Sequence, residues 1–224
     1  MTNLYTVSWS GGKDSCFAHW KAISQGLKVS YLLNVVEKNT TRSMSHGLDN
    51  RLISLQAKVI GLPILQQEVT WETYEVEFKS ALGEIKSKGI TGLVTGDIYL
   101  QEHKDWTDSV CAEVGIKSVL PLWGMNTTQL LTDFINAGFK SIVVSVKAEF
   151  FNREWLGRQV DNNLAMELGK LAEKSNVDPC GEAGEFHTFV YDGQSFQRPI
   201  RLGHAVPILK DDRWFLDIQE FSLA

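Results

Sequence analysis

Two adjacent glycines, Gly11 and Gly12, sit inside the stretch Trp9-Ser10-Gly11-Gly12-Lys13-Asp14-Ser15, between an apolar run and a helical pattern. Residues 4–9 read as a strand, and Cys16, Trp20 and Ile23 recur at i, i+4 and i+7 on one helical face. A tight turn from strand to helix needs one glycine at most, so the pair requires another reason. Glycine permits positive φ and leaves no Cβ between the backbone and a bound group. The N–H groups of such a turn, together with the start of the helix, favour phosphate oxygens. Lys13 adds a mobile positive charge, and Ser10 and Ser15 add short donors. Asp14 is the odd member: a carboxylate repels phosphate unless it caps the helix or holds Mg2+.

Spacing separates this turn from better-known phosphate loops. A Walker A loop needs glycine where Val7 stands and Ser or Thr where Asp14 stands, and GxGxxG fails because the two glycines are adjacent. Downstream, strand-like and helix-like patterns alternate: strands over 29–36, 62–69, 93–95, 118–122 and 142–146, helices over 49–60, 72–88, 105–114 and from Thr127 or Thr128 to Gly138. This predicts an α/β fold, a Rossmann-like open parallel sheet with helices on both faces. The pattern changes near Lys147. One helix over 161–174 is followed by extended, aromatic-rich sequence, and residues 206–221 read as two strands around a polar turn. A nucleotide-binding domain over 1–147 and a smaller α+β C-terminal domain over 148–224 are expected.

Composition excludes several function classes. A chain of 224 residues with 43% apolar content has enough apolar side chains for a sizeable core. The formal charge of −5 gives no overall attraction to nucleic acid, and there is no strong basic patch. No apolar stretch approaches membrane-span length, and the N-terminus lacks a signal-peptide pattern. Cys16, Cys111 and Cys180 are widely separated, without metal-site spacing, which fits a reducing cytoplasmic location.

The string SGGKDS is the PP-loop signature and resembles the N-type ATP pyrophosphatases, whose fold is adenine nucleotide alpha hydrolase-like. In that group the loop grips departing pyrophosphate while a nucleophile attacks the α-phosphate. Further stretches resemble a narrower family, the diphthine–ammonia ligases: "MSHGLDNRLISLQAKVIGLPI", "VTGDIYLQEHKDW", "VCAEVGIKSVLPLW", "EWLGRQVD" and "GEAGEFHTFVYDG", in order and over almost the whole chain. The resemblance implies ATP-dependent amidation of the diphthine carboxylate on translation elongation factor 2, with ATP and Mg2+ bound, ammonium as nitrogen source, and AMP and pyrophosphate released. A homodimer is compatible with it. Differences at residues 97–106 and at His187 resemble a divergent prokaryotic branch. Two alternatives stay open: a non-catalytic ATP or AMP sensor, and a PP-loop ligase for a small metabolite.

By this resemblance, Ser10 to Ser15 hold the phosphates, Met44 and His46 line the adenine pocket, and His103 and Trp106 belong to the substrate segment. Lys13 and Asp14 are candidate catalytic residues, with Asp14 the candidate metal ligand. Gly96 and Asp97 fall at the predicted end of a strand, the edge where open α/β sheets bind ligands, although Asp97 also reads as a turn aspartate. Arg158 reads as an anion fork or as half of a structural salt bridge.

Between Ser175 and Gln197 there is no lysine or arginine, yet Asp178, Glu182, Glu185 and Asp192 are present. An acidic segment beside a triphosphate implies something cationic: ammonium, Mg2+ or a charged substrate. Phe186, Phe189, Tyr191 and Phe196 offer cation–π faces, and an acidic hairpin with core aromatics is the alternative. Glu182, Glu185 and Thr188 are candidate substrate contacts. Glu185 or His187 is the candidate base for ammonium. Cys180 has no base in view and reads as inert.

Overall fold

The computed structural model describes residues 3–224. Five strands form a parallel sheet: β1 (Leu4–Ser8), β2 (Lys28–Glu37), β3 (Ile64–Val69), β4 (Ile90–Val94) and β5 (Lys117–Val119), in the order β3-β2-β1-β4-β5. The order reverses at β1, so the ends of β1 and β4 form the crevice in which such sheets bind ligands. Helices α1 (Lys13–Ser24) and α2 (Asn50–Ile60) pack on one face, and α3 (Tyr74–Ser87) and α4 (Gln101–Val114) on the other. α2 shows why the chain folds this way locally. The Asp49 carboxylate accepts from the Arg51 N–H, Leu52, Ile53 and Val59 are buried, and Gly61 ends the helix at φ 81°.

Helix α5 (Thr127–Asn136) is capped by Asn126, whose side chain accepts from the Gln129 N–H, so both threonines lie inside the helix. α4 starts four residues before the expected Asp105, at Gln101. A larger correction concerns β6 (Lys140–Lys147). The alternation placed it in the parallel sheet, but it joins a second, antiparallel sheet in the order β7-β6-β10-β9, with β7 (Phe186–Asp192), β9 (Ala205–Lys210) and β10 (Arg213–Ile218). Helix α6 (Asn162–Ala172) precedes β7, and β8 (Ile200–Leu202) pairs with β11 (Phe221–Leu223). The β9–β10 turn, Asp211-Asp212, has both residues at positive φ, as a two-residue hairpin of the favoured twist requires.

One continuous core joins the two sheets. Val7, Phe17 and Leu52 from the N-terminal part share it with Phe134, Val143, Phe186 and Phe189. A polar clasp reinforces the junction. Gln56 is fully buried: its Nε2 donates to the carbonyls of Gly11 (3.0 Å) and Val190 (2.6 Å), and its Oε1 accepts from the Trp9 indole (3.0 Å). The Val190 N–H also donates to the Gly11 carbonyl. Gln56→Leu fills a similar volume but leaves the Trp9 donor and a Val190 acceptor unmatched. Each such group costs about 1–3 kcal/mol. Urea unfolding should therefore show a loss of roughly 2–5 kcal/mol, and a loss below about 1 would show the clasp to be idle.

His19 is 1% exposed, its two ring nitrogens have no partner among the described residues, and its ring meets Trp9 edge-on at 5.8 Å. Burial pushes its pKa down from 6.5 to about 4. The folded protein therefore resists a proton that the unfolded chain accepts. The stability this group contributes is complete above pH 6.5 and is lost as pH falls toward 4. At 1.36 kcal/mol per unit the loss is roughly 3 kcal/mol. Other groups add their own slopes, so the measurement is a difference. His19→Phe should show about this much less acid destabilisation than the parent between pH 7 and 4, by denaturant midpoint.

Among the described residues no helix is long and apolar enough to cross a membrane.

Candidate active site

The glycine turn lies at the C-terminal end of β1, and each glycine there has a steric reason. Gly11 has φ 81°, and a Cβ on it would meet Gln56 Oε1 and Ile53 Cδ1 at 2.6 Å. A Cβ on Gly12 would lie 2.7 Å from His46 Nε2 and 3.1 Å from the Thr188 carbonyl. Gly96, just past β4, serves the same crevice: a Cβ there would lie 2.8–3.0 Å from main-chain atoms of Asp14 and Ser15. Ser10 and Ser15 face one another, with hydroxyls 3.2 Å apart.

Lys13 is not the mobile charge expected from the sequence. It is 2% exposed, its Nζ donates to Asp14 Oδ2 (2.9 Å) and to the Cys180 carbonyl, and it lies 5.2 Å from the Phe186 ring centroid. Its main-chain N–H is taken by Thr188 Oγ1 at 2.9 Å. Burial opposes its charge, but Asp14 and the acidic neighbours outweigh burial and raise its pKa. Burial raises the Asp14 pKa against the pull of Lys13. Asp14 does not cap α1, and its Oδ1 is buried without a partner. That orphaned oxygen suits a hard cation, which binds through one or two carboxylates and takes its other ligands from phosphate and water. Among the described residues no group of three metal-ligating side chains occurs, so phosphate oxygens would have to complete any such site.

Two cavities lie near the turn, and Ser10 lines the smaller one. One, of about 190 Å3, is bounded by Trp9 and Ser10, by Leu33 to Val35 of β2, and by Met44 and His46. The other is a cleft of about 570 Å3, lined on its β2 and α4 side by Arg42, Met44, Trp71 and His103, and on its C-terminal side by Glu182, His187, Arg213 and Phe215. His46 and His187 stack between them, with centroids 4.3 Å apart. Burial, with Lys13 and Arg213 nearby, pushes His46 down to about 3, and His187 is held well below the usual imidazole range for similar reasons. The pair is therefore neutral at neutral pH.

The segment from Asp178 to Glu185 is held by cations that grip its main chain. Lys13 donates to the Cys180 carbonyl, Lys147 to that of Ala183 (3.0 Å) and Arg213 to that of Gly184. Its carboxylates are left for other uses. Glu182 Oε1 accepts from the Ile98 N–H (2.7 Å), and burial, helped by Asp14 and Asp97, pushes its carboxyl up to about 7. Glu185 is 2% exposed and accepts from the Asp178 N–H, while its other oxygen has no partner. Asp97 contacts His103 at 3.4 Å, and that hydrogen bond raises the His103 pKa.

Other expected residues lie elsewhere. Arg158 makes a bidentate pair with Glu167 on α6 at 2.8 Å and stacks on Trp155, away from the cleft. Trp106 packs with Tyr74 and Phe78 and donates to Glu75. Phe186 and Phe189 are core residues, and Tyr191 and Phe196 pack against that core, so the cleft's aromatic faces are Trp71 and Phe215 instead. The Cys180 thiol is driven far above its usual range by burial and donates to the Thr127 carbonyl, which suits an inert residue. Sequence reasoning missed Gln56 and Arg213. Nothing local marks Gln56, whereas Arg213 stands directly after the hairpin turn and carries the one visible signal, a cation beginning an apolar strand.

The parallel sheet, its switch point and the glycine turn define an α/β nucleotide-binding protein of the PP-loop type. Residues 4–118 match the family model described as the diphthamide synthase N-terminal domain, and residues 126–223 match the diphthamide synthase C-terminal domain. The chain belongs to the diphthamide synthase family. A relative from Danio rerio, named diphthine–ammonia ligase, is 24% identical over 93% of this chain and 90% of its own length. One of the same name from Schizosaccharomyces pombe is 27% identical over 86% of this chain, which spans about a third (35%) of that longer protein. A solved structure titled as a predicted subunit of a tRNA methyltransferase from Methanocaldococcus jannaschii has TM-score 0.45 and 17% identity, covering 84% of this chain and 96% of that one.

Proposed function

We propose that this protein is an ATP-dependent, AMP-forming ligase that joins ammonia to a carboxylate, and that the carboxylate is that of diphthine on translation elongation factor 2. One observation carries the reading. A two-glycine turn with a buried lysine lies against His46, whose stacking partner His187 lines a cleft that contains a carboxyl with its pKa pushed up to about 7, in a chain matched almost end to end by the two diphthamide synthase domains.

In this reading the β- and γ-phosphates lie on Ser10 to Ser15, and the adenine occupies the smaller cavity beside Met44 and His46. Lys13 exchanges its bond to the Cys180 carbonyl for a phosphate oxygen. An oxygen of the acceptor carboxylate attacks the α-phosphorus. The bond to the bridging oxygen breaks, and its electron pair leaves on pyrophosphate, where the loop's donors stabilise the growing charge. Mg2+ held by Asp14 would neutralise part of that charge. Ammonia then attacks the acyl carbon and the C–O bond to AMP breaks. We assign the proton shed by ammonium to Glu182, which lines the cleft, in preference to Glu185, which does not. His187 is neutral and accepts hydrogen bonds without adding charge.

Incubation with ATP, ammonium and elongation factor 2 carrying diphthine should yield AMP and pyrophosphate in equal amounts, both dependent on the acceptor. Formation of ADP and phosphate, or nucleotide binding without turnover, would refute the assignment.

A further inference from the structure

The cleft contains a cation that the nucleotide does not account for. Arg213, at the start of β10, is half-buried. Its Nη1 donates to Ser145 Oγ at 3.0 Å and its Nη2 to the Gly184 carbonyl. Both partners are neutral, and among the described residues no carboxylate lies at salt-bridge distance from it. The other arginine of the cleft, Arg42, is already paired with Asp217. Burial lowers the Arg213 pKa, opposed by the charge of Glu185, as befits a guanidinium stripped of water without a full counter-ion. A planar fork in that condition is suited to a carboxylate from outside.

Its position fits a second reactant. Ser145 pairs with His187 across β6 and β7, and Arg213 lies opposite Lys147 across β6 and β10, so the guanidinium sits over β6 beside His187. The chain of contacts then runs from His187 to the stacked His46, and from His46 to Gly12. Two neutral imidazoles thus separate the Arg213 cation from the phosphate turn. They keep the two anion sites distinct while holding them on one short path.

We infer that Arg213 binds the carboxylate of the acceptor and aims it past the paired imidazoles at the nucleotide. This rests on the proposed ligase reading, because that reaction needs a second anion beside the triphosphate. Arg213 is then a specificity-determining residue: an acceptor already amidated, lacking the charge, is rejected.

Two measurements separate this inference from the reading beneath it. The first needs no turnover. With a non-hydrolysable ATP analogue present, NMR titration should show α-trimethylammoniobutanoate binding at least about fivefold tighter than its carboxamide, a preference that disappears in Arg213→Gln and survives in part in Arg213→Lys. Equal binding of acid and amide by the parent protein overturns the inference whether or not either variant folds. The second is steady-state kinetics with diphthine-bearing elongation factor 2. Arg213→Gln should raise the acceptor KM about tenfold or more while the KM for ATP stays within about twofold. An unchanged acceptor KM in folded Arg213→Gln overturns the inference, while absence of AMP from the parent protein overturns the ligase reading and leaves the titration to decide the role of Arg213.

Discussion

Replacing Lys13 with methionine is expected to lower kcat/KM for AMP formation by about a thousandfold while the protein stays folded. The magnitude follows from the location. Lys13 is 2% exposed and sits in the first turn of α1 at the phosphate turn, where a charged donor acts in a medium that screens it poorly. Methionine keeps an unbranched apolar stem of similar length and removes the ammonium with its bonds to Asp14 and the Cys180 carbonyl. Asp14 then loses its partner, and burial, which already raises its pKa, opposes its charge the more once Lys13 no longer lowers it. Circular dichroism should therefore report an intact fold, and product chromatography should report the lost AMP. Activity within about tenfold of the parent would show that the phosphates are held elsewhere.

Gly96→Ala should produce the second large effect, through geometry alone. The added methyl would lie 2.8–3.0 Å from the carbonyl carbon and oxygen of Asp14 and the nitrogen of Ser15. These are main-chain atoms at the start of a helix and cannot rotate aside. The end of β4 and the phosphate turn must separate by a few tenths of an ångström, at a cost of about 1–3 kcal/mol. Displacements of this kind cost catalysis more than they cost stability, so kcat/KM is expected to fall roughly 10- to 100-fold while Tm falls by roughly 2–12 °C. Comparing the two losses by calorimetry and steady-state kinetics tests this. A large fall in Tm with normal activity in the remaining folded protein would contradict it.

The parts of this structure that were legible in the sequence are those set by local chemistry. The strand, glycine pair and helix start at residues 4–16 lie where the pattern put them, because chain geometry and turn sterics act over a few residues. β6 shows the limit. Its apolar run is that of a buried strand in either sheet, and periodicity cannot say which neighbour it will pair with. Arg158 shows another. A fork that could meet phosphate is indistinguishable in sequence from one that meets Glu167, nine residues away. The partners of Gln56 and Arg213 could not be read from the sequence for a third reason. Those partners, Val190 for one and Gly184 and Ser145 for the other, are distant in the chain and are mostly backbone atoms with no side-chain signature.

The clasp between Gly11, Gln56 and Val190 bears on how the molecule can be divided. A fragment ending after β5 would keep the phosphate turn but lose the groups that satisfy it: the Val190 N–H and the Thr188 hydroxyl of β7, and the Cys180 carbonyl of the segment before it. The front half is thus no portable cassette. Grafted onto another tail, it would carry its signature residues intact and still lack the scaffold that shapes them.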